Sequence, residues 1–202
     1  MLIIEILVPK GVFTEEQRRD LATRLTARRL LADVEKEAGI DAGVLEWYES
    51  LTHVVVREPD VWIAGGAPAA GPCYLVNVHV GAWGKEMSEH LISRITQVLA
   101  EGEDDPQRLF REPQAIVNVI GIAEGSYGLF GRVQRSTDVL AMIEKAKAPV
   151  PVEVPPGMVV DPVCGAVLPL ENAVTLERDG ETFAFCCPHC RGHFAKRQRT
   201  PA

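Results

Sequence analysis

The chain has 202 residues and a formal net charge of −7 at pH 7, with 47% hydrophobic and 24% charged residues. These proportions are typical of a globular protein of one or two domains, and the acidic balance argues against nucleic acid as a partner, because binding phosphates requires clustered Lys and Arg. No segment approaches the roughly 18 consecutive apolar residues of a membrane helix, so we expect no membrane partner.

The apolar start of the chain, residues 2–8, lacks the basic leader and the small-residue cleavage site of a signal peptide. We therefore expect a cytoplasmic protein whose five cysteines lie in a reducing environment. There, clustered cysteines bind metal or do redox chemistry more often than they form structural disulfides.

Two similar halves follow one another in the first part of the chain. Residues 18–26 match residues 88–96 at an offset of 70. Each half is predicted to contain a strand, a helix and a second strand, and to end in a glycine-bearing hairpin. The predicted strands are residues 2–8, 53–57, 74–80 and 115–120, and the predicted hairpins are residues 62–66 and 127–131.

Both predicted helices carry sequence signals of their own. Thr14 with Gln17 three residues later is a capping-box signature at the start of the first helix. The second helix has an apolar stripe at helical spacing, formed by Met87, Leu91, Ile95, Val98 and Leu99. The order βαβ-βαβ with right-handed crossovers predicts an α+β domain with two helices on one face of a four-stranded sheet. The open face of this sheet needs a cover, and self-association is the simplest one.

Prolines mark a change in organisation after these two halves. Residues 146–157 read AKAPVPVEVPPG, with four prolines that favour extended backbone. We predict a linker there, between a domain of residues 1–145, with repeats of about 1–70 and 71–135, and a second domain of residues 158–202. The second domain holds four of the five cysteines. A domain of this length buries little surface on folding, so we expect a bound metal ion to stabilise it.

Three segments carry a resemblance to the tautomerase superfamily, typified by 4-oxalocrotonate tautomerase. They are TEEQRRDLATRLT (14–26), HVVVREPDVWIAGG (53–66) and EGSYGLFGR (124–132), which follow the strand opening and Gly11. The duplicated form resembles the malonate semialdehyde decarboxylase and macrophage migration inhibitory factor branches. The resemblance implies a homotrimer with sites between subunits that accept a small carboxylate or carbonyl compound.

The residue on which the family's chemistry depends is absent. Its members use an amino-terminal proline as acid or base, whereas this chain has Leu2 there and has Val12 and Phe13 after Gly11, where the simplest members carry an arginine. We therefore expect a tautomerase-like scaffold without proline-dependent catalysis, and we name no catalytic residue. Side chains that could line a remaining pocket are Leu2, Arg57, Trp62, Tyr127 and Arg132.

The strongest signal lies in the cysteine-rich tail. Cys164 is followed after 21 residues by Cys186, and Cys190 follows after three more, with Cys187 between them. Thiolates bind zinc, copper(I) and other soft metals tightly. The segment 178–180 is predicted to turn a hairpin that brings the distant cysteine near. A short helix through Cys190 would place its amino terminus beside the thiolates, with Phe194 on the same face as Cys190.

The segments DPVCG (161–165) and FCCPHCRGHF (185–194) resemble the YHS domain, a TRASH-type metal-binding domain. The resemblance implies that Cys164, Cys186 and Cys190 are ligands of one metal ion per chain, with zinc the first expectation and copper or another soft metal the others. The fourth ligand stays open among Cys187, His189, His193 and Asp161. Such domains are associated with heavy-metal sensing, trafficking and resistance, and a purely structural zinc is the other interpretation.

Two further functions compete with metal binding. The string Cys187-Pro188-His189-Cys190 has the spacing of a thioredoxin-type redox site, but the βαβ layout that such a site needs is absent from the tail. The chain could also be a tautomerase-superfamily enzyme of the isomerase, decarboxylase or hydratase type, with the metal module in a regulatory role. The leading hypothesis remains a metal-binding protein on a trimeric tautomerase-like scaffold.

Overall fold

The structure is a computed structural model that describes residues 2–31, 39–69, 71–81, 85, 87–148 and 154–197. Contacts divide the chain into two compact units, one of Met1–Leu30 with Leu51–Ala123 and the other of Leu31–Ser50 with Glu124–Ala202. Residues 31–50 therefore group with the cysteine-rich tail, although they precede it by more than a hundred positions. The predicted domain boundaries stay a prediction, and residues 149–153 of the predicted linker lie outside the described residues.

Helices and short hairpins alternate with the strands of the main sheet along the chain. In chain order the elements are β1 (Leu2–Leu7), α1 (Glu15–Arg24), α2 (Ala42–Ser50), β2 (Thr52–Arg57), β3 (Ile63–Ala64), β4 (Ala67–Pro68), β5 (Tyr74–Gly81), α3 (Ser88–Ala100), α4 (Arg108–Arg111), β6 (Ala115–Ile122), β7 (Gly128–Leu129), β8 (Arg132–Val133), α5 (Ser136–Ala146), β9 (Met158–Val160), β10 (Val167–Pro169), a 3₁₀ turn (Leu170–Asn172), β11 (Val174–Arg178), β12 (Glu181–Phe185) and α6 (Pro188–Arg197). None of the helices in the described part of the chain is long and apolar enough to cross a membrane.

The first unit is built on a mixed four-stranded sheet in the order β2-β1-β5-β6. β1 pairs parallel to β2, β5 pairs parallel to β6, and the central pair β1–β5 is antiparallel. Each parallel pair is the βαβ half that the sequence predicts, so the α+β class and the duplicated order are confirmed for this sheet. The two halves meet along the antiparallel pair.

Alternation of side chains explains which face of this sheet is buried. Ile4 lies opposite Val78 and Ile6 opposite Val76, and all four side chains are fully buried. Residues one position along the strands point to the other face, and they are only half-buried in β1 and β5. The buried face therefore forms the core of the unit.

The helices of the first unit follow the predicted signals. At the start of α1 the Thr14 hydroxyl accepts from the Gln17 N–H at 3.1 Å, and the Gln17 side chain accepts from the Thr14 N–H at 2.8 Å, which confirms the capping box. α1 contacts β2, and α3 contacts β6. The predicted apolar stripe of α3 is buried at Leu91, Ile95, Val98 and Leu99.

The open face of the sheet is polar at its centre. The Glu5 carboxylate lies 3.5 Å from His79 Nε2 and 3.6 Å from an Arg57 guanidinium nitrogen, and Asn118 donates to Asn77 at 3.0 Å. On β6, Ile116 and Ile120 remain exposed on this face. Self-association over the face stays a prediction.

Each predicted hairpin forms, and the two have equivalent closing hydrogen bonds. In the first unit the Ala69 N–H donates to the Trp62 carbonyl at 3.1 Å. In the second unit the Gln134 N–H donates to the Tyr127 carbonyl at 3.0 Å. Both acceptors and both donors are 65 positions apart, so the duplication extends into the hairpins.

The second unit combines helices from two parts of the chain with the tail. α2 packs against α5, and α5 packs against α6. α6 also packs on the hairpin β11–β12, whose turn is Asp179 and Gly180, both with positive φ, as predicted from the glycine. Phe194 of α6 contacts Phe183 and the fully buried Phe185, with ring centroids 4.9 and 5.3 Å away.

We expect Gly43→Ala to destabilise the protein, because a Cβ at residue 43 would lie 2.1 Å from the Ala146 carbonyl oxygen and 2.9 Å from the Ala148 nitrogen. Moving backbone to make room costs about 1–3 kcal/mol. The matched control is Gly192→Ala, since residue 192 is also helical and has no atom within 4 Å of the added Cβ. It should leave stability equal or raise it by up to about 1 kcal/mol. Urea unfolding of both variants is the measurement, and equal midpoints would contradict the close packing of α2 on the end of α5.

Candidate metal centre

Four side chains of the second unit bring ligand atoms together. The ligand atoms of Asp161, Cys164, Cys186 and Cys190 all lie within 4.8 Å of one another. The Sγ atom of Cys186 is 3.6 Å from that of Cys164 and 3.7 Å from that of Cys190. All five cysteines of the chain are free thiols, so these sulfurs approach one another without a disulfide.

The Asp161 carboxylate builds the turn that presents Cys164. Its Oδ1 atom accepts from the backbone N–H of Val163 at 2.7 Å and of Cys164 at 3.3 Å. The Gly165 N–H closes the turn on the Asp161 carbonyl at 2.9 Å, and Gly165 has a φ of +75°, which favours glycine.

The same carboxylate joins this turn to the second group of cysteines. Asp161 Oδ2 accepts from the Cys186 N–H at 2.8 Å, and the side chain is fully buried. Burial first, and then the charge of Cys164, raises the pKa of Asp161 above its usual value. Since three backbone donors already occupy most of the acceptor sites of the carboxylate, Asp161 is suited to hold the cysteines in place.

The start of α6 supplies the remaining sulfurs. Pro188 is the first residue of α6 and Cys187 precedes it; proline suits this position because its missing N–H would have no helical partner. The backbone N–H groups of Cys190 and His189 at the start of α6 help to lower the pKa of Cys187, after the larger effects of Cys186 and Cys190, as expected for a side chain at a helix amino terminus. Cys190 itself is buried, with 3% of its surface exposed.

The thiols of this cluster differ in the direction of their pKa shifts. Hydrogen bonds with Cys186 and then Cys190 lower the pKa of both Cys164 and Cys187. The same contacts, those with Cys164 first, raise the pKa values of Cys186 and Cys190. The cluster therefore ionises in part at neutral pH, and a bound cation would favour the thiolate form of the other sulfurs.

The sulfur separations fit a soft metal ion. Four sulfurs at about 2.3 Å from a tetrahedral ion would lie about 3.8 Å from one another, and the observed separations are 3.6 and 3.7 Å. Thiolate ligands suit both zinc and copper(I). The described residues can thus accept such an ion with small movements.

The predicted ligands are placed as follows. Cys164, Cys186 and Cys190 come together, and Cys187 lies outside that group of four but interacts with the thiols of Cys186 and Cys190. His189 is half-buried, and its backbone N–H is among the groups that lower the pKa of Cys187. The ring of His193, another candidate, has its Nε2 3.6 Å from the Glu144 carboxylate of α5.

Tyr48 is a neighbour of this cluster that no sequence motif indicates. It lies on α2 and is half-buried. Burial first, and then the charges of Cys164, Cys190, Cys186 and Cys187, raise the pKa of Tyr48 far above its usual value. No local sequence signal marks it, because it is 116 positions before Cys164.

The predicted pocket residues do not form one group within either unit. Leu2 pairs with Thr52 and Arg57 pairs with Leu7, so Leu2 and Arg57 lie at opposite ends of the β1–β2 pair. Trp62 is half-buried in the first unit.

Tyr127 and Arg132 belong to the β7–β8 hairpin region of the second unit, where Tyr127 is half-buried and Arg132 exposed. Burial, followed by the charges of Glu124 and Asp138, raises the pKa of Tyr127. A pocket formed by these residues stays a prediction.

Comparison with known proteins gives matches of shape only. No protein-family model matches the chain, and no curated protein matches it. Among solved structures, a native fused 4-OT has 18% identity and a TM-score of 0.48 over 65% of this chain and 94% of its own. A macrophage migration inhibitory factor-like protein from Entamoeba histolytica has 14% identity and a TM-score of 0.45 over 66% of this chain and 98% of its own.

A third similar structure, N1 of the cis-3-chloroacrylic acid dehalogenase family, has 16% identity and a TM-score of 0.42 over 65% of this chain and 82% of its own. All three belong to the tautomerase and macrophage migration inhibitory factor superfamily. At these identities and scores they carry no conclusion about the activity of this chain.

We expect Asp161→Asn to destabilise the second unit in its reduced, metal-free form. An amide keeps one acceptor oxygen and turns an NH₂ group toward a backbone N–H, so at least one of the three hydrogen bonds is lost. Leaving a buried donor unpaired costs about 1–3 kcal/mol.

The control for this substitution is Asp179→Asn, which changes an exposed residue with a φ of +52° that asparagine tolerates. Its effect on the free energy of unfolding should stay within about 0.5 kcal/mol. If urea unfolding gave the two variants the same stability, the role of Asp161 as the joining carboxylate would be wrong.

Proposed function

We propose that this protein binds one soft metal ion per chain through the thiolates of Cys164, Cys186 and Cys190, with Cys187 as the fourth sulfur. The observation that carries the proposal is the convergence of free thiols at sulfur separations of 3.6 and 3.7 Å. Zinc is the first expectation, and copper(I) is the second, since both ions take thiolate ligands. A reducing, cytoplasmic location is proposed with it, because the thiols must stay reduced.

The cysteine-rich tail supports the proposed likeness to a YHS-type metal-binding module. Its Cys164 turn, the β11–β12 hairpin and the start of α6 supply the cysteines in the order and spacing that the likeness requires. The pairing of β11 with β12 places Phe185, the residue before Cys186, opposite Val174 at the open end of the hairpin. The hairpin therefore delivers Cys186 to the start of α6.

Exposure of the sulfurs favours a metal ion that can be exchanged. Cys164, Cys186 and Cys187 are all partly exposed, and only Cys190 is buried. Three of the four cysteines thus lie near the surface, where an incoming thiol ligand could approach them. We therefore propose metal sensing or trafficking as the function, in preference to a metal that only holds the fold.

The proposed scaffold for this module is a tautomerase-like homotrimer without proline-dependent catalysis. Leu2 occupies the position of the family's proline, and its side chain is buried with 8% exposed. Exposed apolar side chains at the hairpins support self-association; they are Val61, Ile63, Phe130 and Val133. Three copies per particle in sedimentation equilibrium would agree with this proposal, and a monomer at micromolar concentration would contradict it.

We expect protein purified under reducing conditions to bind one equivalent of zinc per chain. Cys190→Ser should lower the zinc affinity at least about 100-fold, because it removes the buried thiol of the cluster. Cys187→Ser should lower it less if the ion keeps three sulfurs. Competition with a chromophoric chelator measures each affinity.

The matched control for these variants is Cys73→Ser. Cys73 is a buried free thiol of the first unit and belongs to no ligand group among the described residues. Its zinc affinity should equal that of the unmodified protein. Less than half an equivalent of zinc bound to the reduced, folded protein would contradict metal binding, and equal losses in Cys73→Ser and Cys190→Ser would contradict the ligand assignment.

A further inference from the structure

The thiols of Cys164 and Cys186 are in direct contact, although 22 positions separate the two residues along the chain. Their Sγ atoms are 3.6 Å apart, and both cysteines are free and partly exposed. A disulfide has an S–S length of about 2.05 Å, so the two sulfurs need to approach each other by about 1.5 Å. Rotation of the two side chains is the movement that brings them together.

One carboxylate holds the backbones of both cysteines close to each other. Asp161 Oδ1 accepts from the Cys164 N–H at 3.3 Å, and Asp161 Oδ2 accepts from the Cys186 N–H at 2.8 Å. Because both amides bond to the same side chain, the two backbones approach each other closely, as the geometry of a disulfide requires. The Asp161 hydrogen bonds therefore prepare this pair of cysteines for a covalent bond.

Contacts from other parts of the second unit restrain the turn that carries Cys164. The Lys147 ammonium donates to the Pro162 carbonyl at 2.5 Å. A Cβ added at Gly165 would lie 3.0 Å from the Asp41 Cβ, so the residue after Cys164 touches Asp41. All of these residues belong to the second unit. With the turn held in this way, the thiol of Cys164 stays within reach of its partner.

Packing of the hairpin on α6 fixes the other member of the pair. Phe185, the residue before Cys186, is fully buried, and its ring centroid is 5.3 Å from that of Phe194. The Sγ atom of Cys190 is also near, at 3.7 Å from that of Cys186, but only 3% of the surface of Cys190 is exposed. An oxidant from solvent therefore approaches Cys164 and Cys186 more readily than Cys190.

We propose that Cys164 and Cys186 are a redox-active pair, which a hydroperoxide converts to a disulfide with release of the bound metal ion. The sulfur of one thiol attacks hydrogen peroxide: an S–O bond forms, the O–O bond breaks, and the departing hydroxide takes the thiol proton and leaves as water. The second thiol attacks the sulfenic acid: the S–S bond forms, the S–O bond breaks, and a second water leaves with the proton of that thiol. The pair loses two electrons, and one peroxide gains them.

This oxidation would remove ligands from the metal centre. The thiolate is the form of cysteine that binds metal, so a disulfide between Cys164 and Cys186 withdraws two of the sulfurs assigned to the ion and leaves those of Cys187 and Cys190. Metal release rests on the metal binding proposed above, whereas the disulfide itself requires only the two thiols. Reduction of the disulfide restores both ligands.

The test treats the full chain, reduced and free of metal, with hydrogen peroxide, blocks the remaining thiols and digests the protein with trypsin. Cleavage at Lys and Arg places Cys164 in the peptide 148–178 and places Cys186, Cys187 and Cys190 in the peptide 179–191. We expect these two peptides to be joined by a bond that dithiothreitol breaks, in a protein that stays a single chain on a gel without reductant. Chains joined to one another would overturn the pairing within one chain.

Variants and fragmentation identify the sulfurs that are joined. Cys186→Ser should abolish the joined peptides. Cys73→Ser should leave their yield unchanged, because Cys73 is a buried thiol of the first unit. If Cys186→Ser does not fold, fragmentation of the joined peptides from the unmodified protein locates the bond without a variant. A bond from Cys164 to Cys187 or Cys190 would overturn the assignment.

A second arm treats the zinc-loaded protein with hydrogen peroxide and follows free zinc with a chromophoric chelator. We expect about one zinc ion to be released for each disulfide formed, and zinc to bind again after reduction with dithiothreitol. Joined peptides in a protein that keeps its zinc would overturn the link between oxidation and release.

The outcomes separate this inference from the proposed function. If the reduced protein binds no zinc, the proposed function fails, and joined peptides would still support the redox-active pair. If the protein binds zinc but peroxide gives only disulfides within the peptide 179–191, or sulfinic and sulfonic acids, the redox-active pair is overturned and metal binding stands.

Discussion

The hydrogen bonds of one buried carboxylate determine whether the cysteines of the second unit can meet. Asp161 accepts three backbone N–H groups, two from its own turn and one from Cys186, 25 positions later. These bonds hold Cys164 and Cys186 at a separation that a metal ion can bridge. The carboxylate also places negative charge beside thiols that tend to ionise, so the arrangement is strained electrostatically without a cation. A bound metal would relieve this repulsion, and part of its binding free energy would then appear as stability of the fold.

Residues far from the tail supply the second unit with buried apolar side chains, of which the tail alone has few. The tail contributes few fully buried side chains, among them Val163, Leu168 and Phe185. α2 and α5 add Val44, Leu45, Val139, Leu140 and Ile143 to the buried set. The tail is therefore part of a larger packed unit, and changes in α2 or α5 are expected to affect the metal centre.

The features that the sequence predicts well are those set by local rules. Alternation gives the four strands, the Thr14–Gln17 pair gives the start of α1, and glycine at 180 gives the hairpin turn. The resemblance of the tail to the YHS domain gives the three thiols that meet. Each of these depends on residues close in sequence or on a repeated pattern that packing does not alter.

The features that the sequence does not predict depend on packing between distant segments. Nothing in the sequence around Asp41 indicates its contact with the cysteine turn, because Gly165 is more than a hundred positions away. The sequence also does not show what covers α2, whose Val44 and Leu45 are buried. Similarly, the spacing of cysteines and histidines does not show which residue is the fourth ligand. Packing determines that His193 contacts Glu144 and that Cys187 interacts with the other thiols.

The two halves of the duplication differ most in the connection between helix and second strand. Residues 25–51, 27 in all, join α1 to β2, whereas residues 101–114, 14 in all, join α3 to β6. The longer connection contains α2 and so serves two purposes, closing a crossover in one unit and contributing a helix to the other. The shorter one, with α4, lies wholly in the first unit. We therefore expect the connection of residues 101–114 to tolerate insertions or deletions. The connection of residues 25–51 should tolerate them less, because it also contains α2, which belongs to the second unit.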